Sequence, residues 1–226
     1  MVTLRIRYTK THYMKYLGHL ELMKLFERVF RRHQYPLKFS EGFNPHPKMT
    51  FASPLSVGYA TKGDLMEVIL TEEMPLEKVL ATVFPEGIEL LDAKYVESKT
   101  SLMAGIDSSE YLINVELQTP ISDLEGQFEH FLSQDSIIYE KKNKRGQMRT
   151  IDAKAQIYKA KIIYEESCEF TLRCTLKTSS QGNLNPETFV KAFLKFCRQP
   201  EDSAVILVER LAMFDIAHEP LFELTK

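Results

Sequence analysis

The stretch best equipped to recognise another molecule is Ser40-Glu41-Gly42-Phe43-Asn44-Pro45-His46-Pro47-Lys48. Its two prolines fix their own φ and push Asn44 and His46 toward extended backbone. Gly42 supplies a position free of Cβ constraint. Phe43, Asn44, His46 and Lys48 thus offer a ring, an amide, an imidazole and an ammonium from one stiff loop. Such a set can stack on a nucleobase and hydrogen-bond to its edge. The structural alternative is a rigid turn whose Phe43 fills core.

Two groups qualify as catalytic candidates, His46 and Asp152. The latter sits in Arg149-Thr150-Ile151-Asp152-Ala153-Lys154, where neighbouring cations keep a carboxylate ionised. An Asp in that setting also serves as a helix cap or a surface ion pair. His19 reads as a helix-start residue packed on the apolar side. His12, His33 and His130 stand alone, and Cys168, Cys174 and Cys197 lack ligand spacing, so no metal and no cofactor are expected. Phosphate-loop, dinucleotide, zinc-protease and serine-hydrolase motifs are absent from the sequence.

The net charge of -2 hides a segregation. Residues 1–50 carry a balance of +7, 51–140 of -13, 141–161 of +7 and 162–226 of -3. Basic blocks of this kind suit a polyanion, or else neutralise the acidic block across the fold. The basic side chains expected to meet RNA are Arg5 and Arg7 on the first strand, and Lys24, Arg28, Arg31 and Arg32 on the first helix. Lys48 joins them from the loop, and Lys141, Lys142, Lys144, Arg145 and Arg149 from the second basic block.

These groups need elements to hold them. Val2, Leu4, Ile6 and Tyr8 alternate with Thr3, Arg5 and Arg7, the period of a strand with one apolar and one basic face. From His19 to His33 the apolar Leu22, Met23, Leu25, Phe26, Val29 and Phe30 share one helical arc. The four cations share the opposite arc, interrupted only by Glu21, and Pro36 ends the run. Strands at 49–55 and 65–71, a helix opened by Pro75 and a strand at 88–96 complete β-α-β-β-α-β. The order recurs over 110–226, with strands at 111–117, 157–164, 169–177 and 204–214, helices at 123–132 and 186–198, and a further strand starting at 137–139 ahead of the basic segment. The expected division is 1–97, a polar connector 98–109, and 110–226 with a basic insertion at 141–156. The fold class is α+β, two ferredoxin-like halves packed side by side.

Composition is that of a globular protein, 44% hydrophobic and 27% charged. No apolar run reaches the ~20 residues a membrane span requires, and residues 1–7 lack a signal-peptide block. A cytoplasmic protein without a membrane association is expected.

Tyr16-Leu17-Gly18-His19-Leu20, Leu25-Phe26-Glu27-Arg28, the Phe39–Lys48 stretch and Ala52-Ser53-Pro54-Leu55 together resemble the radical-SAM-linked family of unknown function. The similarity is dense over residues 4–60 and weaker beyond. Thr150-Ile151-Asp152 resembles the family's short acidic motif, although Ala153 stands where an aliphatic residue is usual. The resemblance implies partnership with a radical SAM protein rather than radical chemistry here, since three closely spaced cysteines are missing. The duplicated element order is also similar to the architecture of tRNA pseudouridine synthases and of CRISPR RNA-processing endonucleases, an analogy of fold alone.

Three functions follow. The first is an RNA-binding or substrate-presenting accessory protein for a radical SAM enzyme that modifies tRNA or rRNA. The second is an RNA-modifying or RNA-cleaving enzyme in its own right. The third is a protein-interaction subunit using the acidic stretch 64–140.

Overall fold

The alternation of Val2 to Tyr8 becomes β1 (Val2–Lys10), the strand around which the first half is built. A computed structural model describes residues 1–97, 101–142, 146–200 and 204–224. It mixes strands and helices in two compact units, Met1–Ser108 with Glu209–Lys226, and Ser109–Val208.

In the first unit, β1 is followed by α1 (His19–Arg32), β2 (Met49–Phe51), β3 (Ala60–Leu70), α2 (Leu76–Leu80), β4 (Leu90–Val96) and α3 (Leu102–Gly105). β1 pairs antiparallel with β3 and with β4, and β2 pairs antiparallel with β3, giving the order β4-β1-β3-β2. Leu4 is flanked by Val68 and Tyr95, and Ile6 by Met66 and Ala93. Leu4, Ile6 and Tyr8 are buried, and so are Leu22, Phe26, Val29 and Phe30 of α1. The helical period thus lands its apolar arc on the core cluster of β1, β3 and β4. The Glu21 carboxylate accepts the Gly18 amide at 2.8 Å at the start of α1. Gln34 takes a left-handed φ of 57° just past its end, and Pro36 prevents continuation.

The second unit runs β5 (Ser108–Leu117), α4 (Leu124–Ser133), β6 (Ile138–Lys142), β7 (Met148–Asp152), β8 (Ile157–Glu166), β9 (Glu169–Ser179), β10 (Gly182–Asn183) and α5 (Pro186–Phe196), then enters β11 (Ala204–Phe214). Its strands follow the order β11-β5-β9-β8, with β10 also on β9. Asn185 caps α5 by accepting the amides of Glu187 and Thr188, and Pro186 takes the first helical turn, where its missing N–H costs nothing. Phe189, Val190 and Phe193 are buried, and Phe196 is half-buried.

Three local expectations change. The basic insertion contains a hairpin, β6 against β7, with Tyr139 opposite Ile151. The polar connector is not featureless, because Leu102 and Ile106 enter a core cluster with Ala52, Leu65, Met213 and Leu221. The C-terminal residues from Glu209 group with the first unit. Glu209 and Arg210 run parallel to Ala60 and Thr61 of β3. Gly63 permits this approach, since a Cβ there would lie 2.5 Å from the Leu211 carbonyl oxygen.

Candidate nucleic-acid interface and a buried ionic centre

Residues 40–48 form a loop on a tied stem. Phe39 bridges to Pro47, the Ser40 amide donates to the His46 carbonyl at 2.8 Å, and the Lys48 amide to the Lys38 carbonyl at 2.8 Å. The Ser40 hydroxyl accepts the His46 amide at 3.1 Å and lies 3.0 Å from Nδ1 of the same residue. In the tautomer where that hydroxyl donates to Nδ1, the Nε2–H remains as a donor. Gly42 sits at φ 115°, a region closed to residues with a Cβ. Phe43 is fully exposed, and Asn44, His46 and Lys48 are exposed beside it. The core-filling alternative for Phe43 is therefore excluded. Pro47 is buried in the stem while Pro45 is exposed.

The loop is fastened to the basic helix. The Arg31 guanidinium lies over the Phe39 ring, 5.0 Å from its centroid, a cation–π contact. Arg31 also pairs with Glu27 at 2.8 Å. Glu27 therefore interrupts the cationic arc as well as Glu21, because i and i+4 meet on a helix surface. Lys24, Arg28 and Arg32 are exposed, and no carboxylate among the described residues pairs with them. The Arg28 Nε donates to the Lys24 carbonyl at 3.2 Å.

The other sequence candidates fare differently. Arg5 is wholly buried, contrary to the expectation of a basic outer strand face. Its guanidinium pairs with Glu67 at 2.7 Å and donates to the carbonyls of Leu221, Phe222 and Leu224. That face of β1 is covered by the C-terminal segment, so Arg5 cannot meet RNA. Arg7 is partly exposed, 3.6 Å from Asp92 and over the Phe222 ring. Arg149 is exposed on β7. Lys144, Arg145 and the side chains of Lys141 and Lys142 lie outside the described residues.

Asp152 closes the base of the β6–β7 hairpin. Its Oδ1 accepts the amides of Ile137 and Lys154, both at 2.9 Å. These two backbone donors, Lys154 first, hold its carboxyl below the usual range. The carboxylate is engaged in a turn, the capping role such residues commonly take.

An ionic cluster that sequence reasoning missed lies in the core of the first unit. Arg210 Nε and Nη2 grip the Asp64 carboxylate at 2.7 Å each. Thr61 Oγ1 donates to Asp64 Oδ1 at 2.8 Å, and Arg210 also reaches the Ser53 carbonyl at 2.9 Å. Lys10 is 1% exposed, with Nζ 3.4 Å from the carbonyls of Lys15 and Leu17. Burial lowers the Lys10 pKa, while Asp64 raises it and Arg210 lowers it further. Tyr8 is pushed well above its ordinary value, by burial first and Asp64 second. Tyr8, Lys10 and Asp64 line a cavity of about 10 Å³ together with Leu17, His19, Ser53, Pro54 and Leu55. His19 packs edge-on against Phe51 at 5.5 Å, as expected of a helix-start residue on the apolar side. The sequence signal was a charge inside an apolar run, Asp64 before Leu65-Met66, which pattern reading takes as a strand end.

The cysteines are free. Burial pushes Cys174 far above the ordinary thiol range and Cys197 up to about 11, so both are thiols rather than nucleophilic thiolates at neutral pH. Among the described residues, no helix is long and apolar enough to cross a membrane.

Comparison with known proteins concerns first the fold. The chain is similar to one in the crystal structure of a Cbf5–Nop10–Gar1 complex, at TM-score 0.55 and 10% identity over 93% of this chain and 48% of that one. A chain of the archaeal box H/ACA sRNP Nop10–Cbf5 complex matches at TM-score 0.52 and 10% identity, over 92% and 46%. One from an H/ACA RNP bound to a substrate RNA containing 2′-deoxyuridine matches at TM-score 0.51 and 9% identity, over 92% and 46%. The chain thus spans about half the length of these solved chains, and the likeness shows fold alone. No curated protein sequence matches it. A family profile does, over residues 3–186, and the chain accordingly belongs to the family described as uncharacterized proteins conserved in bacteria (DUF2344).

Proposed function

We propose that this protein binds RNA through the first unit and presents it to a radical SAM enzyme that modifies tRNA or rRNA. The observation that carries the reading is Phe43, fully exposed at the tip of a loop whose stem is pinned by Arg31 to the basic helix. An exposed aromatic ring is otherwise unfavourable in water. Beside cations, it is the stacking platform that single-stranded nucleic acid uses. Lys24, Arg28 and Arg32 supply the phosphate contacts, and Asn44, His46 and Lys48 the polar contacts near the stacked base. The order β4-β1-β3-β2 and its counterpart β11-β5-β9-β8 support two ferredoxin-like halves, divided near residue 109. The similarity to chains of H/ACA assemblies, one of them bound to a substrate RNA, is consistent with an RNA-handling fold. The partner is inferred from the family resemblance at Tyr16–Leu20 and Ser40–Lys48.

The test is ultraviolet crosslinking of the tagged protein in cell extract, followed by sequencing of bound RNA and identification of co-purifying proteins. RNA crosslinked at Phe43, with a radical SAM protein in the same eluate, is expected. Loss of the crosslink in Phe43→Ala with folding intact would support the platform. Recovery of protein partners without RNA would instead favour an interaction subunit working through the acidic middle of the chain.

A further inference from the structure

Lys24, Arg28 and Arg32, which no carboxylate among the described residues pairs with, follow one another along α1 at intervals of four. Residues i and i+4 are neighbours on a helix surface, so the three make one ridge, and Leu20 continues it toward the helix start. The two carboxylates of α1 are engaged elsewhere, Glu21 with the Gly18 amide and Glu27 with Arg31. The Phe43 loop is fastened at the Arg31 end of this ridge. At the other end, the connection from β1 into α1 carries a second set of solvent-facing rings. Tyr13 is 84% exposed and Tyr16 57%, and Leu20 at the head of the ridge is 70% exposed.

These rings stand on a pinned turn. His12 redirects the chain at a left-handed φ of 47°, uncommon for a residue with a Cβ. A tight helical turn over His12–Tyr16 follows, in which Met14 packs on the core cluster. The Thr11 amide donates to the Gly87 carbonyl at 2.8 Å, and the Gly58 amide to the Lys15 carbonyl at 2.9 Å. The Lys15 ammonium lies over the Tyr16 ring, 5.2 Å from its centroid. One exposed tyrosine is ordinary. Two on an anchored turn, at the head of a cationic ridge with Phe43 at its far end, repeat the pairing of ring and cation that holds single-stranded nucleic acid.

We infer that the ligand is a single-stranded RNA segment laid along α1, with one base stacked at Phe43 and another at Tyr13 or Tyr16. Its backbone follows Lys24, Arg28 and Arg32. The inference rests on the RNA-binding reading and adds to it the form of the RNA and the length bound. A duplex keeps its bases paired and stacked on one another, so it offers no free face to either set of rings. The cations between the two sets favour RNA over an apolar protein partner. From Leu20 to Arg32 the helix rises about 18 Å. A stacked strand advances about 3.4 Å per nucleotide, so about five nucleotides span the gap, and fewer if the strand is drawn out.

The test is the affinity of the full chain for unstructured RNA oligonucleotides of increasing length. It compares the natural protein with Tyr13→Ala/Tyr16→Ala and Tyr13→Phe/Tyr16→Phe. On oligonucleotides of about three nucleotides, which reach one platform, the alanine variant should bind almost as the natural protein does. Beyond about seven nucleotides it should bind about tenfold more weakly, the loss of one base–ring stack. The phenylalanine variant should behave as the natural protein at every length, because stacking needs the ring and not the hydroxyl. Ultraviolet crosslinking should place the longer RNA on Tyr13 or Tyr16 as well as on Phe43. An alanine variant that keeps its Tm and binds every length like the natural protein would overturn the inference and leave RNA binding at Phe43 standing. An equal loss at all lengths would also overturn it, since the tyrosines would then share the base at Phe43. If the alanine variant unfolds, the crosslink decides, and its absence from both tyrosines in the natural protein counts against the track. A natural protein that binds RNA of no length would remove the RNA reading and this inference together.

Discussion

At the scale of single residues, the buried ionic groups carry the sharpest consequences. Asp64→Asn leaves the Arg210 guanidinium buried without its counter-charge. Breaking such a pair from one side costs about 3–5 kcal/mol, which urea unfolding would read as a lower midpoint at unchanged slope. Replacing both partners with Leu and Met should cost much less, because no orphaned charge remains. Tyr35 gives a pH signature. Its hydroxyl lies 2.7 Å from Thr82 Oγ1, and burial raises its pKa to about 12. The unfolded chain loses that proton near pH 10 and the folded one near 12, so this residue's stability is intact below 10 and lost as pH rises from 10 toward 12. Tyr35→Phe should therefore flatten the alkaline limb of a stability–pH curve while leaving Tyr8 to contribute in the same direction. Arg5 shows where residue-level reading stops. Its alternation with Leu4 and Ile6 put it on the polar face of a strand. What covers that face is Leu221 to Leu224, more than 200 residues away, and local pattern carries no trace of it.

At the scale of elements, periodicity was legible where one face is buried and silent where neither is. α1 and α5 present apolar arcs of 3.6-residue period, and both bury the centre of the arc, leaving Met23, Leu25 and Phe196 half-buried at its edges. Phe26 is the centre of the first arc, wholly buried with ring contacts to Tyr8, Phe51 and Phe84 at 5.1, 5.6 and 4.8 Å. Phe26→Ala should lower unfolding stability by about 3–5 kcal/mol through lost transfer energy and a residual cavity. Circular dichroism should show the same folded spectrum at a reduced Tm. A loss under 1 kcal/mol would mean that the helix does not seat on this core. β7, by contrast, exposes nearly every residue, so its sequence has no buried alternation and reads as a basic loop. Only the start of β6, at 137–139, is legible as a strand, and the two amide bonds of Asp152 define the base of the hairpin. α3 was hidden in the same way, since its apolar run, Leu102 to Ala104 with Ile106 beyond, is too short to show a helical period and lies in a Ser-rich stretch.

At the scale of the molecule, the sequence predicts a fold that mixes strands and helices, and both units contain both kinds of element. Element order survives in the hydrophobic pattern because every strand and helix repeats its own period. The return of Glu209–Lys226 to the first unit does not, because it rests on long-range bonds such as Arg210 to Asp64 and Arg5 to the C-terminal carbonyls. The charge segregation was legible too, but among the described residues three of the four helix cations stand free of carboxylates, since Glu27 takes Arg31. That distinction sharpens the test of RNA binding. Each phosphate neutralised on a single strand contributes ~0.7 to the slope of log affinity against log salt. The decisive measurement is affinity for a single-stranded RNA oligonucleotide across a salt series, comparing the natural protein with Lys24→Gln/Arg28→Gln/Arg32→Gln. These three exposed side chains pack no core, so the variant should keep its Tm. The account predicts weaker binding and a slope flatter by about 2 units. Equal affinity and equal slope for two folded proteins would contradict it.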